Sequence, residues 1–212
     1  MRTLFLLFIS YLFSNVAISS AFANDVDPLL VKALQHATTD EVTQTINLEE
    51  LRWLSRMSVQ LEIDDRVPDP FYRIRILQTV KQEALNVGLN PQMVLAVMDI
   101  ESNFNRYAVS RSGALGLMQI MPFWKEVLGE PEADLFNPLT NIRFGCEILR
   151  RYMDRYSNIE DALAGYNGSL GRKTYSDKIL RRYNSRWVYN ADEYLDENEI
   201  NIAVSELTTP DN

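Results

Sequence analysis

Two carboxylates stand two residues apart near the end of an apolar run, "NPQMVLAVMDIESNF", residues 90–104. If the run is one helix, Val94, Val97 and Met98 share a stripe. Glu101 lies on that stripe, four residues past Val97 and three past Met98. Asp99 then points roughly the opposite way and reads as a surface charge. A carboxyl on an apolar face loses hydration when it ionises, so its pKa rises and it holds a proton near neutral pH. That is the state a general acid needs to protonate a glycosidic oxygen. The other reading of Glu101 is a helix end turned to solvent, and the spacing alone leaves both open.

Other chemistries find few residues to use. The chain has one cysteine, Cys146, so no internal disulfide forms. Cys146 lies in "NIRFGCEILRRYM" and reads as a small buried hydrophobe. The single histidine, His36, sits in a distant segment and takes no role. A Ser-His-Asp triad or a zinc site is disfavoured, and no metal and no cofactor is expected.

The elements that must position Glu101 are helical by pattern. "FYRIRILQTVKQEALNVG" places Ile74, Leu77, Val80 and Ala84 on one stripe, with Gly88 as a stop. Asn90-Pro91 is an N-cap with proline in the first turn. "NPLTNIRFGCEILRRYMDRY" aligns Ile142, Cys146, Leu149 and Met153. "IEDALAGYNGSLG" is a short helix running into a glycine-rich turn, and "YSDKILRRY" is a last helix. Residues 105–122 differ: Gly113, Ala114 and Gly116 let backbone approach closely, and Pro122 ends the stretch. Strand signals are sparse, so the predicted fold is mainly α.

Residues 1–23 read as a secretory signal peptide. Arg2 precedes an apolar stretch from Leu4 to Phe13, and small residues end in Ala21-Phe22-Ala23. The stretch is short for a bilayer span, and no second one is long enough, so no membrane segment is expected after cleavage. Residues 24–69 form a helical extension, 70–189 the catalytic domain, and 190–212 an acidic tail read as mobile. The 212 residues are 46% hydrophobic and 24% charged, which suits one globular domain with extra chain. The net charge of −8 belongs mostly to the flanks, while residues 70–184 carry 12 acids and 15 bases. An anionic polymer is permitted as partner for the middle; export and the lack of a strong basic patch disfavour nucleic acid.

"ESNFNRYAVSRSGALGLMQIMP" together with "AGYNGS" resembles the family 1 lytic transglycosylases, the soluble-type, SLT-domain enzymes that cleave peptidoglycan. The family pattern is E-S, then a Ser, then G-L-M-Q, then A-Y-N-A-G, then a later Tyr. Here it runs Glu101-Ser102, Ser110, Gly116-Leu117-Met118-Gln119, Gly165-Tyr166-Asn167-Gly168-Ser169 and Tyr175. The fourth motif keeps Tyr-Asn and departs at three small positions. The resemblance covers about residues 72–185.

The resemblance implies a goose-lysozyme-like α fold with a groove for glycan strands and extra N-terminal helices. It implies cleavage between N-acetylmuramic acid and N-acetylglucosamine without water, leaving a 1,6-anhydro ring. Glu101 is then acid and afterwards base towards the muramyl C6 hydroxyl. Ser110, Gln119, Tyr166, Asn167 and Tyr175 are implied to line the site, with Met118 packed beneath the sugar. Each has a plainer reading: turn residue for Ser110, packing amide for Gln119, core for Met118 and Tyr166. Ser102 caps the helix end. Arg172, Lys173, Lys178, Arg181 and Arg182 are either a solvated face or contacts for peptide carboxylates. Peptidoglycan strands are the implied partner and the periplasm the implied location. A partner in a wall-remodelling or secretion machine is left open. The alternatives are a water-adding muramidase and a catalytically idle cell-wall binding or assembly module.

Overall fold

Most of the longer helices begin where an Asn or Asp ends the preceding loop. Asp69, Asn90 and Asn137 each stand before a proline, and each side-chain oxygen accepts a backbone N–H of the first turn. Asn158 does the same without proline. These caps fix the starts of helices in the computed structural model of the chain, which describes residues 48–63 and 66–190. The signal peptide, His36, the extension up to residue 47 and the acidic tail beyond Asn190 lie outside the described residues.

Among the described residues the helices are α1 (Leu48–Glu62), α2 (Pro70–Asn86), α3 (Pro91–Ser102), α4 (Trp124–Val127), α5 (Pro138–Arg155), α6 (Ile159–Tyr166) and α7 (Thr174–Ser185). There is no strand among them, only isolated bridges pairing Val109 with Leu115 and Leu115 with Ile120. The fold is mainly α, as predicted. No helix among the described residues is long and apolar enough to cross a membrane.

The packing closes a ring. α2 lies against α3, α3 against α7, α7 against α6, α6 against α5, and α5 returns to α2. α1 packs along α2 and buries Trp53, Leu54, Met57 and Leu61. The buried Arg73 of α2 donates to the Ser58 hydroxyl and to the carbonyls of Val67 and Pro68, which satisfies a charge placed inside. The predicted stripe of α2 holds, with Ile74, Leu77, Val80 and Ala84 buried; on α5 Ile142, Cys146 and Leu149 are buried, while Met153, near the helix end, is only half-buried. α3 differs from an amphipathic helix, because Met93 through Asp99 are all buried. A helix walled on all sides has no greasy face distinct from a wet one.

The irregular stretch after α3 is moored by one amide. Asn141 of α5 is fully buried. Its Oδ1 accepts the Met118 N–H at 2.7 Å, and its Nδ2 donates to the carbonyls of Leu115 (2.9 Å) and Leu135 (2.8 Å). Gly116 passes so near this amide that a Cβ there would lie 2.4 Å from Nδ2, and its φ of +75° is one only glycine adopts freely. Replacing Asn141 by the near-isosteric Leu strips the Met118 N–H and the Leu135 carbonyl of this partner, while the Leu115 carbonyl keeps the Ile120 N–H. Asn141→Leu is expected to cost about 3 kcal/mol, read as a lower denaturant midpoint. Ser110→Ala, on the exposed side of the same stretch, is expected to cost less than about 1 kcal/mol.

Candidate active site

α3 ends one residue after Glu101 because Asn103 and Phe104 turn left-handed, with φ of 51° and 63°. Non-glycine residues adopt this conformation at a cost, and surrounding contacts must hold them in it. Phe104 is held by the ring of Trp187, 5.5 Å away centre to centre. The Ser102 hydroxyl lies 2.7 Å from the Leu117 carbonyl, so it ties the helix end to the 116–119 loop as well as facing the Met98 carbonyl behind it.

The Glu101 carboxyl is partly buried, and the Tyr175 hydroxyl of α7 donates to its Oε1 at 2.6 Å. Burial pushes its pKa up to about 6. Hydrogen bonds from Tyr175 and Asn167 favour the charged form and partly offset that rise. The Tyr166 and Tyr175 phenols are raised well above their ordinary value, chiefly by burial and next by the Glu101 charge. Both therefore stay neutral donors over the range in which Glu101 titrates.

Asp99 is not a surface charge. It is 5% exposed, pairs with Arg66, and its Oδ2 accepts from the Trp187 indole at 3.0 Å and forms an ion pair with Arg182 Nε at 3.2 Å. The helical wheel put Asp99 opposite Glu101 correctly, but that side faces α7 and the segment before α2 rather than water. The spacing gave no sign of Arg66, Arg182 and Arg186, which come to Asp99 from far along the chain.

Met118 is also not a sugar floor: its side chain has no exposed surface and sits over Gly145, whose Cβ would lie 2.1 Å from Met118 Sδ. What Met118 offers the site is backbone, since its carbonyl accepts the Tyr166 hydroxyl at 2.8 Å. The Tyr166 hydroxyl is thus committed to the Met118 carbonyl, and it is Tyr175 that donates to Glu101. The Tyr166 ring is set edge-on by Tyr152, which stacks on Tyr156. Gly165, one of the departures from the family motif, makes room for that pair: a Cβ there would come within 2.8 Å of both rings.

Ser110 closes a small turn, accepting from Ala114 N at 2.9 Å and facing Ser112 Oγ at 3.0 Å, with no bond to Glu101. Gln119 is no helix-packing amide. It sits at φ 50°, and its Nε2 donates to the Ala108 and Gly116 carbonyls, which leaves Oε1 as an open acceptor. Asn167 caps the end of α6 and faces Glu101. Glu101, Tyr175, Asn167 and Tyr166 thus come together, while Ser110 and Met118 serve the loop and the core. Of the basic cluster, Arg182 turns to Asp99, and Arg172, Lys173, Lys178 and Arg181 are exposed. Asn141 and Asp99 are the residues sequence reasoning missed. A polar side chain amid the apolar positions of α5 was the available signal for Asn141.

The family described as Transglycosylase SLT domain matches residues 78–186. A transglycosylase of Enterobacteria phage PRD1 is 32% identical over 114 residues, covering 50% of this chain and 42% of the phage protein. Membrane-bound lytic murein transglycosylase C of Photorhabdus laumondii is 34% identical over 128 residues, 52% of this chain and 34% of its own. The Yersinia pestis protein of the same description is 33% identical over 156 residues, 64% and 42% respectively. The chain thus spans well under half the length of these relatives. An inactive mutant of the lytic transglycosylase Slt from Pseudomonas aeruginosa aligns over 80% of this chain and 35% of its own, with 23% identity and a TM-score of 0.43.

The raised pKa is also a statement about stability. A carboxyl whose folded pKa lies above its unfolded value binds its proton more tightly when folded. Its contribution is complete below about pH 4.5 and is lost as pH rises through about 6. Glu101→Gln keeps an acceptor for Tyr175 and cannot ionise. It is expected to gain on the wild type by about 1–2 kcal/mol between pH 4.5 and 7.5, measured by urea unfolding across pH. A pH-independent difference would contradict this.

Proposed function

The chain belongs to the Transglycosylase SLT domain family, and from that premise we propose that it cleaves the glycan strands of peptidoglycan at the bond between N-acetylmuramic acid and N-acetylglucosamine. The observation that carries the proposal is the partly buried Glu101 carboxyl, its pKa pushed up to about 6, with the Tyr175 hydroxyl 2.6 Å from Oε1. Such a group is protonated often enough near pH 6 to act as an acid and is basic enough to take a proton back.

The reaction runs in two halves. Glu101 gives its proton to the bridging oxygen as the C1–O bond breaks. The muramyl C6 hydroxyl then attacks C1, and its proton returns to Glu101. The product carries a 1,6-anhydro ring, and no water is consumed. A conventional retaining hydrolase places a second carboxyl about 5–5.5 Å from the first. Asp99 is unsuited to that role, because it is buried and paired with arginines. The acetamido group of the substrate supplies stabilisation for the cationic centre in this reading. Tyr175 and Asn167 hold the charged form of Glu101 between the halves. Gln119 Oε1 offers an acceptor to a sugar amide. The catalytic domain is residues 70–189 with a groove of the goose-lysozyme kind, and the signal peptide at 1–23 delivers it to the periplasm.

The test is mass spectrometry of the fragments released from purified sacculi. Products one water lighter than the hydrolytic ones are expected. Glu101→Gln is expected to lower turnover by about 10²–10⁴-fold. Products of full hydrolytic mass would replace the lyase by a muramidase, and wild-type turnover in Glu101→Gln would remove the mechanism.

A further inference from the structure

The end of α3 carries two acids with opposite fates. Glu101 keeps its proton accessible, while Asp99, half a turn earlier, is enclosed among cations. Around Asp99 stand Arg66 from the segment before α2, Arg182 of α7, and Arg186 and Trp187 just beyond α7. Arg186 also donates to the Gln60 carbonyl of α1. Arg73, the buried charge of α2, is engaged by Ser58, by the Val67 and Pro68 carbonyls and by Glu62. Around Glu101 stand Tyr175 of α7, Tyr166 of α6 and Asn167 just after it.

The two clusters share the same pair of helices. α3 provides both acids. α7 provides Tyr175 near its start and Arg182 two turns later, and the chain leaving it provides Trp187. At the other end of the pair, the exposed Asn90 cap of α3 donates to the Tyr183 hydroxyl of α7 at 3.3 Å. Trp187 has no exposed surface, donates to Asp99, and packs its ring on Phe104 in the left-handed turn that ends α3. A buried carboxylate with an indole N–H and flanking guanidiniums holds one geometry, because any displacement leaves a buried charge unpaired. Resting on the reading above, we propose that Asp99 is a positioning residue for the reaction: its contacts with Arg182 and Trp187 fix α7 against the end of α3 and so set the Tyr175 hydroxyl on Glu101. Asp99 touches no substrate in this scheme. It acts through the helix pair.

A purely structural anchor and a positioning anchor differ in one measurable respect. If Asp99 acts by placing Tyr175, its removal matters less once the Tyr175 hydroxyl is gone. Asp99→Asn also removes a negative charge two residues from Glu101, and the resulting change of field favours the ionised Glu101. That field acts with or without the Tyr175 hydroxyl, so it cancels in a double-mutant cycle.

The experiment is a cycle of Asp99→Asn and Tyr175→Phe in the full chain, with two readouts. One is kcat/KM on soluble peptidoglycan glycan at pH 5. The other is the titration midpoint of the Glu101 carboxyl carbon by NMR, assigned by its loss in Glu101→Gln. Asp99→Asn is expected to lower kcat/KM by about tenfold alone and by less than about threefold in the Tyr175→Phe background. The Glu101 midpoint after Asp99→Asn is expected to lie higher, relative to its parent, when Tyr175 is present than when it is absent. Equal effects in both backgrounds, in both readouts, overturn the proposal. If Asp99→Asn does not fold, Trp187→Phe goes through the same cycle with the same reading, since it keeps a ring against Phe104 and removes the N–H together with the indole's second ring. The titration needs no turnover. Coupling in the titration with no lytic products from any variant would retain the clamp and remove the proposed reaction, and lytic products with additive titrations would do the reverse.

Discussion

The bond from Tyr175 to Glu101 joins residues 74 apart in sequence, and the rest of the molecule is arranged so that it forms. Two opposed requirements meet there. Taking the carboxyl out of water raises its proton affinity, and giving it donors lowers that affinity again. Desolvation without the tyrosine would overshoot, leaving a group reluctant to ionise. A solvated carboxyl would fall back to its ordinary range. The observed balance, with the pKa pushed up to about 6, needs a wall around the residue and one strong donor inside it.

The ring of helices supplies the wall. α3 is enclosed on every side, and the loop that follows it folds back under the direction of Asn141 and Gly116 to bring Gln119 and the Met118 carbonyl to the same end of the helix. α6 and α7 close the circuit with Tyr166, Asn167 and Tyr175. Only one carboxyl at the end of α3 is free to do proton chemistry, and the proposed lyase reaction asks for only one. The second acid of the helix is committed to holding helices together.

Much of this was legible beforehand, and the failures have a common cause. The stripes of α2 and α5 and the cap at Asn90 are local properties, set by residues within one turn of each other, and they stand as read, save the half-buried Met153. The family motifs also name Tyr175 and Asn167, the residues that the fold brings to Glu101. Asp99 was misjudged because its environment is made by Arg66, Arg182, Arg186 and Trp187, all remote in sequence, and a helical wheel has no knowledge of them. Met118 and Ser110 were given to the substrate when their partners are Gly145 and the 110–114 turn. The departure at Gly165 makes space for Tyr152 and Tyr156 behind Tyr166, which the motif by itself does not reveal. Tertiary contacts decide such cases, and periodicity does not contain them.

The central claim is that a single carboxyl, carrying its proton up to about pH 6, does the chemistry. The pH dependence of kcat/KM on soluble glycan tests it most directly, because that ratio reports the ionisation of the free enzyme. The account predicts a fall in rate on the alkaline side with an apparent pKa near 6. A rate that falls instead around 4.5, the ordinary carboxylate range, or that stays level to pH 8, would contradict it.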